Sequence, residues 1–262
     1  MLEKENVLLL NKHILICLNV ENDTMSEDID HLKSIFCGTF QTEIKNNDIS
    51  SSDKIIYLCG NISQVYDVIR NVKYKIIYVI RELSNNYENC DNYEITSLGN
   101  VPINIHNVGV YFRNFFNSEN KDYFNLIKNE HEFQMLTESN KPTFAFRKGI
   151  YLSKIEEVKN ELKYHLLRCS SNLNGSTDNF RDTDKEIVNQ VNNISQYFFE
   201  EKTELNHVLA QIYENNDQGK AKISAHSDKT KDMPRNGLIA FCSFYESYYN
   251  DKFNDIEKKI KQ

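Results

Sequence analysis

A chain of 262 residues is long enough for one large domain or two modest ones. Its formal net charge of −7 argues against wholesale attraction to nucleic-acid phosphate, which needs clustered Lys and Arg. Hydrophobic residues make up 40 %, so a core is within reach, yet no apolar stretch nears the ~20 residues that a membrane helix requires.

The first hundred residues alternate in kind. Residues 13–20 (HILICLNV), 54–59 (KIIYLC) and 75–80 (KIIYVI) are short runs rich in β-branched side chains. Between them, Ile29, Leu32, Ile35 and Phe36 fall at helical spacing behind Ser26, and Val65, Val68, Ile69 and Val72 repeat the pattern. Near-continuous apolar strands separated by helices predict a small parallel α/β sheet. No Gly-rich phosphate loop or Walker lysine accompanies it, so interaction or scaffolding is its expected role. Residues 83–107 are polar and Asn-rich, which places the expected domain boundary near residue 100, with domains over 1–100 and 101–262.

Beyond that boundary, residues 123–135 read as a helix carrying His131, a lone histidine expected to be packed or exposed rather than a ligand. Residues 143–153 read as strands interrupted at Gly149; the pattern over 155–167 fits strand or helix. Residues 170–182 are rich in turn formers, with Arg168 and Arg181 as anion contacts if the loop lines a site, although an ordinary surface loop is the plainer reading. Thr183-x-x-Glu186 is a capping box, and it opens a helix whose apolar stripe is Ile187, Val188, Val191, Ile194 and Phe198.

The most informative stretch is 204–245. An apolar run over 208–213 leads into a polar turn, and then Ala221, Ile223 and Ala225 alternate with Lys222, Ser224, His226 and Asp228. Period-two alternation is the mark of a half-buried strand, whose residues i and i+2 share a face. His226 and Asp228 would then present an imidazole and a carboxylate together, two-thirds of the two-histidine, one-carboxylate set that holds non-haem Fe(II). A surface hairpin with a polar outer face has the same pattern. Lys220, Lys222, Lys229, Lys231 and Arg235 form a local basic rim around this segment.

This stretch resembles the core of the AlkB-like Fe(II)/2-oxoglutarate-dependent dioxygenases. Gln211-Ile212-Tyr213 stands where that family has Asn-x-Tyr, and the His226-Ser227-Asp228 segment stands where it has His-x-Asp, followed by the apolar segment Gly237-Leu238-Ile239-Ala240-Phe241. The resemblance implies an α/β N-terminal domain joined to an α+β C-terminal domain with a partial double-stranded β-helix, or jelly roll. It implies Fe(II) held by His226 and Asp228, and 2-oxoglutarate contacted by Tyr213 and Gln211. The family's second metal-binding His and the Arg that follows it have no counterpart, because His226 is the last histidine and the residues after Tyr245 include no Arg. Lys222 is the candidate replacement for that Arg.

The expectation is therefore a C-terminally incomplete, impaired dioxygenase-like protein acting by hydroxylation or demethylation. Alkylated nucleic acid is one substrate class, which the net charge does not favour. The alternative is a non-catalytic interaction protein with a degenerate jelly roll. A third option is a complementing chain that pairs with an edge strand from Leu238 to Tyr245. Six scattered cysteines without a CxxC pair, no signal peptide and no membrane span point to an intracellular protein.

Overall fold

The structure, a computed structural model, describes residues 6–19, 23–45, 53–70, 76–116, 121–137, 144–164, 177–215, 217, 219–223, 225–226, 233–234 and 236–246. Two compact units divide the chain. Glu5–Asn117 and Ser195–Lys202 form an N-terminal unit, and Ser118–Ile194 and Thr203–Gln262, with Met1–Lys4, form a C-terminal unit.

The N-terminal unit is built on a five-stranded parallel sheet. Its strands are β1 (His13–Leu18), β2 (Thr39–Gln41), β3 (Ile55–Asn61), β4 (Ile76–Asn85) and β5 (Glu94–Thr96), in the order β2-β1-β3-β4-β5. Every residue of β1 and six of seven in β3 are buried, the signature of strands covered on both faces. Alternate residues divide between two cores. Ile14, Ile16, Ile56 and Leu58 pack with Ile62 and Val65 of the turn before helix α2 (Tyr66–Arg70) and with Ile69 of that helix. Leu15, Cys17, Tyr57 and Cys59 pack with Ile29 and Leu32 of helix α1 (Asp23–Ile35). The two helices thus cover opposite faces, and the strand order is that of flavodoxin-like doubly wound sheets. Gly60 closes β3 at φ +92°, where an added Cβ would lie 2.0 Å from the Leu18 carbonyl oxygen, and the register with β4 shifts between Leu58 and Gly60.

This unit extends past the expected boundary at residue 100. Val101 is 1 % exposed within the α1-side core, the Cys37 amide donates to the Pro102 carbonyl at 3.0 Å, and Phe36 bridges to Ile103 at the start of the hairpin β6 (Ile103–Ile105) and β7 (Gly109–Tyr111). A polar, Asn-rich composition marked the approach to these contacts, but the apolar residues that follow it still belong to the first core. Residues 195–202 return to the same unit. The Phe198 ring stacks on His13 with centroids 4.0 Å apart, and backbone bonds join Leu9 to Phe198 and Glu200 to Val7.

In the C-terminal unit, helix α3 (Tyr123–Glu130) is capped by Asp122, whose side chain accepts from the Asn125 amide, and it ends before the expected residue 135. Strand β8 (Gln134–Thr137) follows and pairs antiparallel with β9 (Phe144–Ser153), which runs unbroken through Gly149. The ambiguous stretch after it is a hairpin of β10 (Ile155–Val158) and β11 (Glu161–Tyr164), turned by Lys159 and Asn160 at φ +54° and +63°. Strand β12 (Asp178–Asn179) pairs with β9, helix α4 (Asp182–Phe198) follows, and β13 (His207–Tyr213) pairs with β9 over its full length. Ile150, Leu152, Phe180 and Val188 form the core between this sheet and α4, with Val208 and Ala210 against it.

The capping box expected at α4 is not made by Thr183 and Glu186. Asp184 instead accepts the Arg181 backbone amide at 2.8 Å. Thr183 donates to Glu130, and Glu186 takes the Tyr123 hydroxyl and the Lys121 ammonium. Tertiary partners claim the side chains that the local pattern assigned to the helix end.

Residues 221–223 and 225–226 carry no strand, and neither do residues 237–246, so the alternating strand and the edge strand expected there are not formed among the described residues. Alternation marks a face for burial, but a strand also needs a ladder partner.

Candidate functional site

The antiparallel register of β13 on β9 sorts side chains onto two faces. Val208, Ala210 and Ile212 turn toward α4 with Ile150 and Leu152. The opposite face carries His207, Leu209, Gln211 and Tyr213 beside Ser153, Tyr151, Gly149 and Arg147 in the paired order His207↔Ser153, Leu209↔Tyr151, Gln211↔Gly149 and Tyr213↔Arg147. Tyr213 is 43 % exposed, and its hydroxyl donates to Gln211 Oε1 at 2.7 Å. That bond orients the amide so that its NH2 group keeps both donors for another acceptor.

Several polar atoms on this face are enclosed without hydrogen-bond partners: Arg147 Nε and Nη1, Ser153 Oγ and His207 Nδ1. Burial pushes the His207 imidazole below its ordinary pKa, and its ring stacks on Tyr151 with centroids 5.4 Å apart. Buried polar groups are nearly always satisfied, so a row of unsatisfied ones along a single sheet face singles that face out.

A second constellation lies where the C-terminal end of α3, strand β12 and the start of α4 meet. The His131 side chain is fully enclosed, with Nδ1 3.1 Å from Asp178 Oδ2 and Nε2 2.8 Å from Asp184 Oδ2. Two carboxylates facing opposite ring nitrogens are satisfied together by a doubly protonated ring, or by a neutral ring beside one protonated carboxyl. Burial raises the Asp178 carboxyl, but the His131 contact, the Asn179 amide and Arg181 outweigh it and leave the pKa below the usual carboxylate range. Arg181 reaches Asp178 at 3.1 Å, so it is not a free anion contact. A cavity of about 450 Å³ opens beside the network, lined by Glu130, Asn179, Phe180, Arg181, Asp182 and Lys185.

Glu130, His131 and Asp184 each offer one ligand atom, all within 4.8 Å of one another. Asp178 on Nδ1 resembles the carboxylate that orients a metal-binding histidine. However, Nε2 is already bonded to Asp184, whose same oxygen also takes the Arg181 amide. A cation could enter only by displacing that bond. As it stands, the network ties three elements of the unit together.

No protein-family model, curated protein or solved structure matches this chain.

Of the residues singled out in the sequence, Gln211 and Tyr213 lie on one face of β13, joined by the hydrogen bond between their side chains. His226 and Lys222 are exposed and lie outside any strand, and Asp228 is outside the described residues. In the basic rim, Lys220 is exposed, while Lys229, Lys231 and Arg235 are not among the described residues; nor is Arg168. Sequence reasoning missed Arg147, Ser153 and His207, which only the β9–β13 register places on one face. It also missed the His131 network, whose members at 131, 178 and 184 have no motif spacing. Among the described residues, no helix is long and apolar enough to cross a membrane.

Proposed function

We propose that the C-terminal unit is an Fe(II)/2-oxoglutarate dioxygenase-like domain for oxidative hydroxylation or demethylation. The observation that carries this reading is the Gln211–Tyr213 pair, hydrogen-bonded on the face of β13 away from α4 and followed in the chain by His226-Ser227-Asp228. The outward Gln211 amide and the partly exposed Tyr213 fit a carboxylate-bearing cosubstrate. In this reading His226, an exposed residue, and Asp228, which follows it by two in the sequence, would hold the divalent ion. Bound iron would supply oxygen activation; the chain's own residues would position the cosubstrate. Two protein ligands leave a labile ion weakly held, so the cosubstrate's own chelation is needed to retain it.

Titration calorimetry with Mn(II), with and without 2-oxoglutarate, tests this directly. Weak Mn(II) binding is expected, strengthened by 2-oxoglutarate and abolished in His226→Ala. Equal affinity in the two proteins would remove the metal reading. Under anaerobic Fe(II) and 2-oxoglutarate, a weak visible charge-transfer band is the matching spectroscopic expectation.

One observation favours the second reading, a non-catalytic interaction protein. Ile239, Phe241 and Tyr245 are 47 %, 84 % and 62 % exposed in a segment that forms no strand among the described residues. Exposed apolar side chains in a row mark a contact surface. If that reading holds, neither Mn(II) nor 2-oxoglutarate binds, and Phe241→Ser improves solubility without altering stability.

A further inference from the structure

The face that carries Gln211 and Tyr213 also holds a cation that no described contact uses. Arg147 sits directly across from Tyr213 in the antiparallel register, and Gln211 is its diagonal neighbour. Side chains in these two relations come within about 5 and 7–8 Å at Cβ, close enough for an arginine and a glutamine to converge on one small group. Gly149, opposite Gln211, adds no side chain between them. Arg147 Nε and Nη1 are both enclosed and lack acceptors. The neighbouring acid, Glu214, does not neutralise this guanidinium. It is bonded to Lys128 and Lys148 at 3.2 Å each, and Lys148 pairs with Ile212 on the opposite face.

An enclosed guanidinium with unused donors is costly unless an anion sits against it, and its planar shape suits carboxylate best. Gln211, on the same face and with its Oε1 taken by Tyr213, adds a neutral amide donor. We infer that Arg147 and Gln211 form a carboxylate anchor on this face, taking the terminal carboxylate of a small diacid. This inference rests on the dioxygenase-like reading for the identity of the diacid, 2-oxoglutarate, and assigns to Arg147 the role for which Lys222 was the sequence candidate. Tyr213 acts as a positioning residue, since its proton is committed to Gln211 Oε1 and fixes which end of the amide faces the ligand. Lys222, exposed and outside any strand, has no such constraint.

The test titrates wild type, Arg147→Ala, Arg147→Met and Lys222→Ala with glutarate, which has both carboxylates but no 2-oxo group. The same proteins are titrated with 2-oxoglutarate, with and without Mn(II). Glutarate is expected to bind wild type and Lys222→Ala alike, and both Arg147 variants are expected to weaken glutarate and 2-oxoglutarate by about tenfold or more, the scale of a charge-assisted contact. The methionine variant keeps the side-chain stem, so it decides the matter if the alanine variant does not fold. Unchanged glutarate affinity in Arg147→Met, or no glutarate binding by wild type, would overturn the anchor. The two readings fail differently. If Mn(II) gives no gain for 2-oxoglutarate while Arg147→Met still loses glutarate, the anchor stands and the dioxygenase reading falls. If Mn(II) strengthens 2-oxoglutarate in wild type while Arg147→Met leaves the affinities for glutarate and 2-oxoglutarate unchanged, the dioxygenase reading stands and the anchor falls.

Discussion

Acidification from pH 7 to pH 5 should weaken the N-terminal unit through one buried side chain. His13 is 0 % exposed, stacked on Phe198, with Nε2 donating to the Tyr197 carbonyl at 3.0 Å and Nδ1 enclosed without a partner. A second proton would place an N–H at Nδ1 with no acceptor. Burial, set against the Tyr197 bond and aided by Lys12, accordingly lowers the pKa to about 4, against about 6.5 in an unfolded chain. At pH 7 neither state holds much extra proton. At pH 5 the unfolded chain is protonated and the folded chain is not, so the unfolded state is favoured as pH falls through 6.5, and the loss levels off below pH 4. Integrating the linkage from pH 7 to pH 5 gives a loss of about 2 kcal/mol. Urea unfolding read by hydrogen exchange over residues 13–18 measures it. His13→Phe keeps a ring against Phe198 and should abolish the pH dependence. A wild-type loss under about 0.5 kcal/mol, or an equal loss in His13→Phe, would refute the account.

Three further outcomes are expected. Gly60→Ala should cost about 3 kcal/mol or more in urea unfolding, because its φ of +92° and the 2.0 Å approach to the Leu18 carbonyl leave no room for a methyl group. His131→Ala should destabilise the C-terminal unit by about 3–5 kcal/mol, since it strands the buried Asp184 beside Asp178, and Asp184→Asn combined with it should recover part of that loss. Tyr213→Phe should change thermal stability by less than about 1 kcal/mol, as an exposed hydrogen bond does, yet weaken 2-oxoglutarate several-fold in calorimetry by freeing the Gln211 amide to turn.

The N-terminal sheet was legible because its strands are buried on both faces and so write unbroken apolar runs such as HILICL and IIYLC. The C-terminal unit was less so, for a physical reason. There β9 and β13 show one face to α4, and the choice of neighbour rests on register, which residue types do not encode. Gln211 and Tyr213 were singled out by the resemblance, whose motif is local to one strand; Arg147 was not, since its position opposite Tyr213 is set by pairing across more than sixty intervening residues. The alternation over residues 221–228 shows the converse, a pattern strong enough to suggest a strand where the described residues of the segment form none. His131 was passed over as a lone histidine, and its partners arrive only when β12 and α4 fold against α3.

The return of residues 195–202 to the first unit has a practical consequence for anyone dividing the gene. A clone stopped at codon 117 would omit the ring that lies over His13 and the backbone partners of Val7 and Leu9. The imidazole would then meet water, and the leading segment would lose its tether. Any separately produced version of this half must carry the later octet as well, by circular permutation or by co-expression of a peptide covering it.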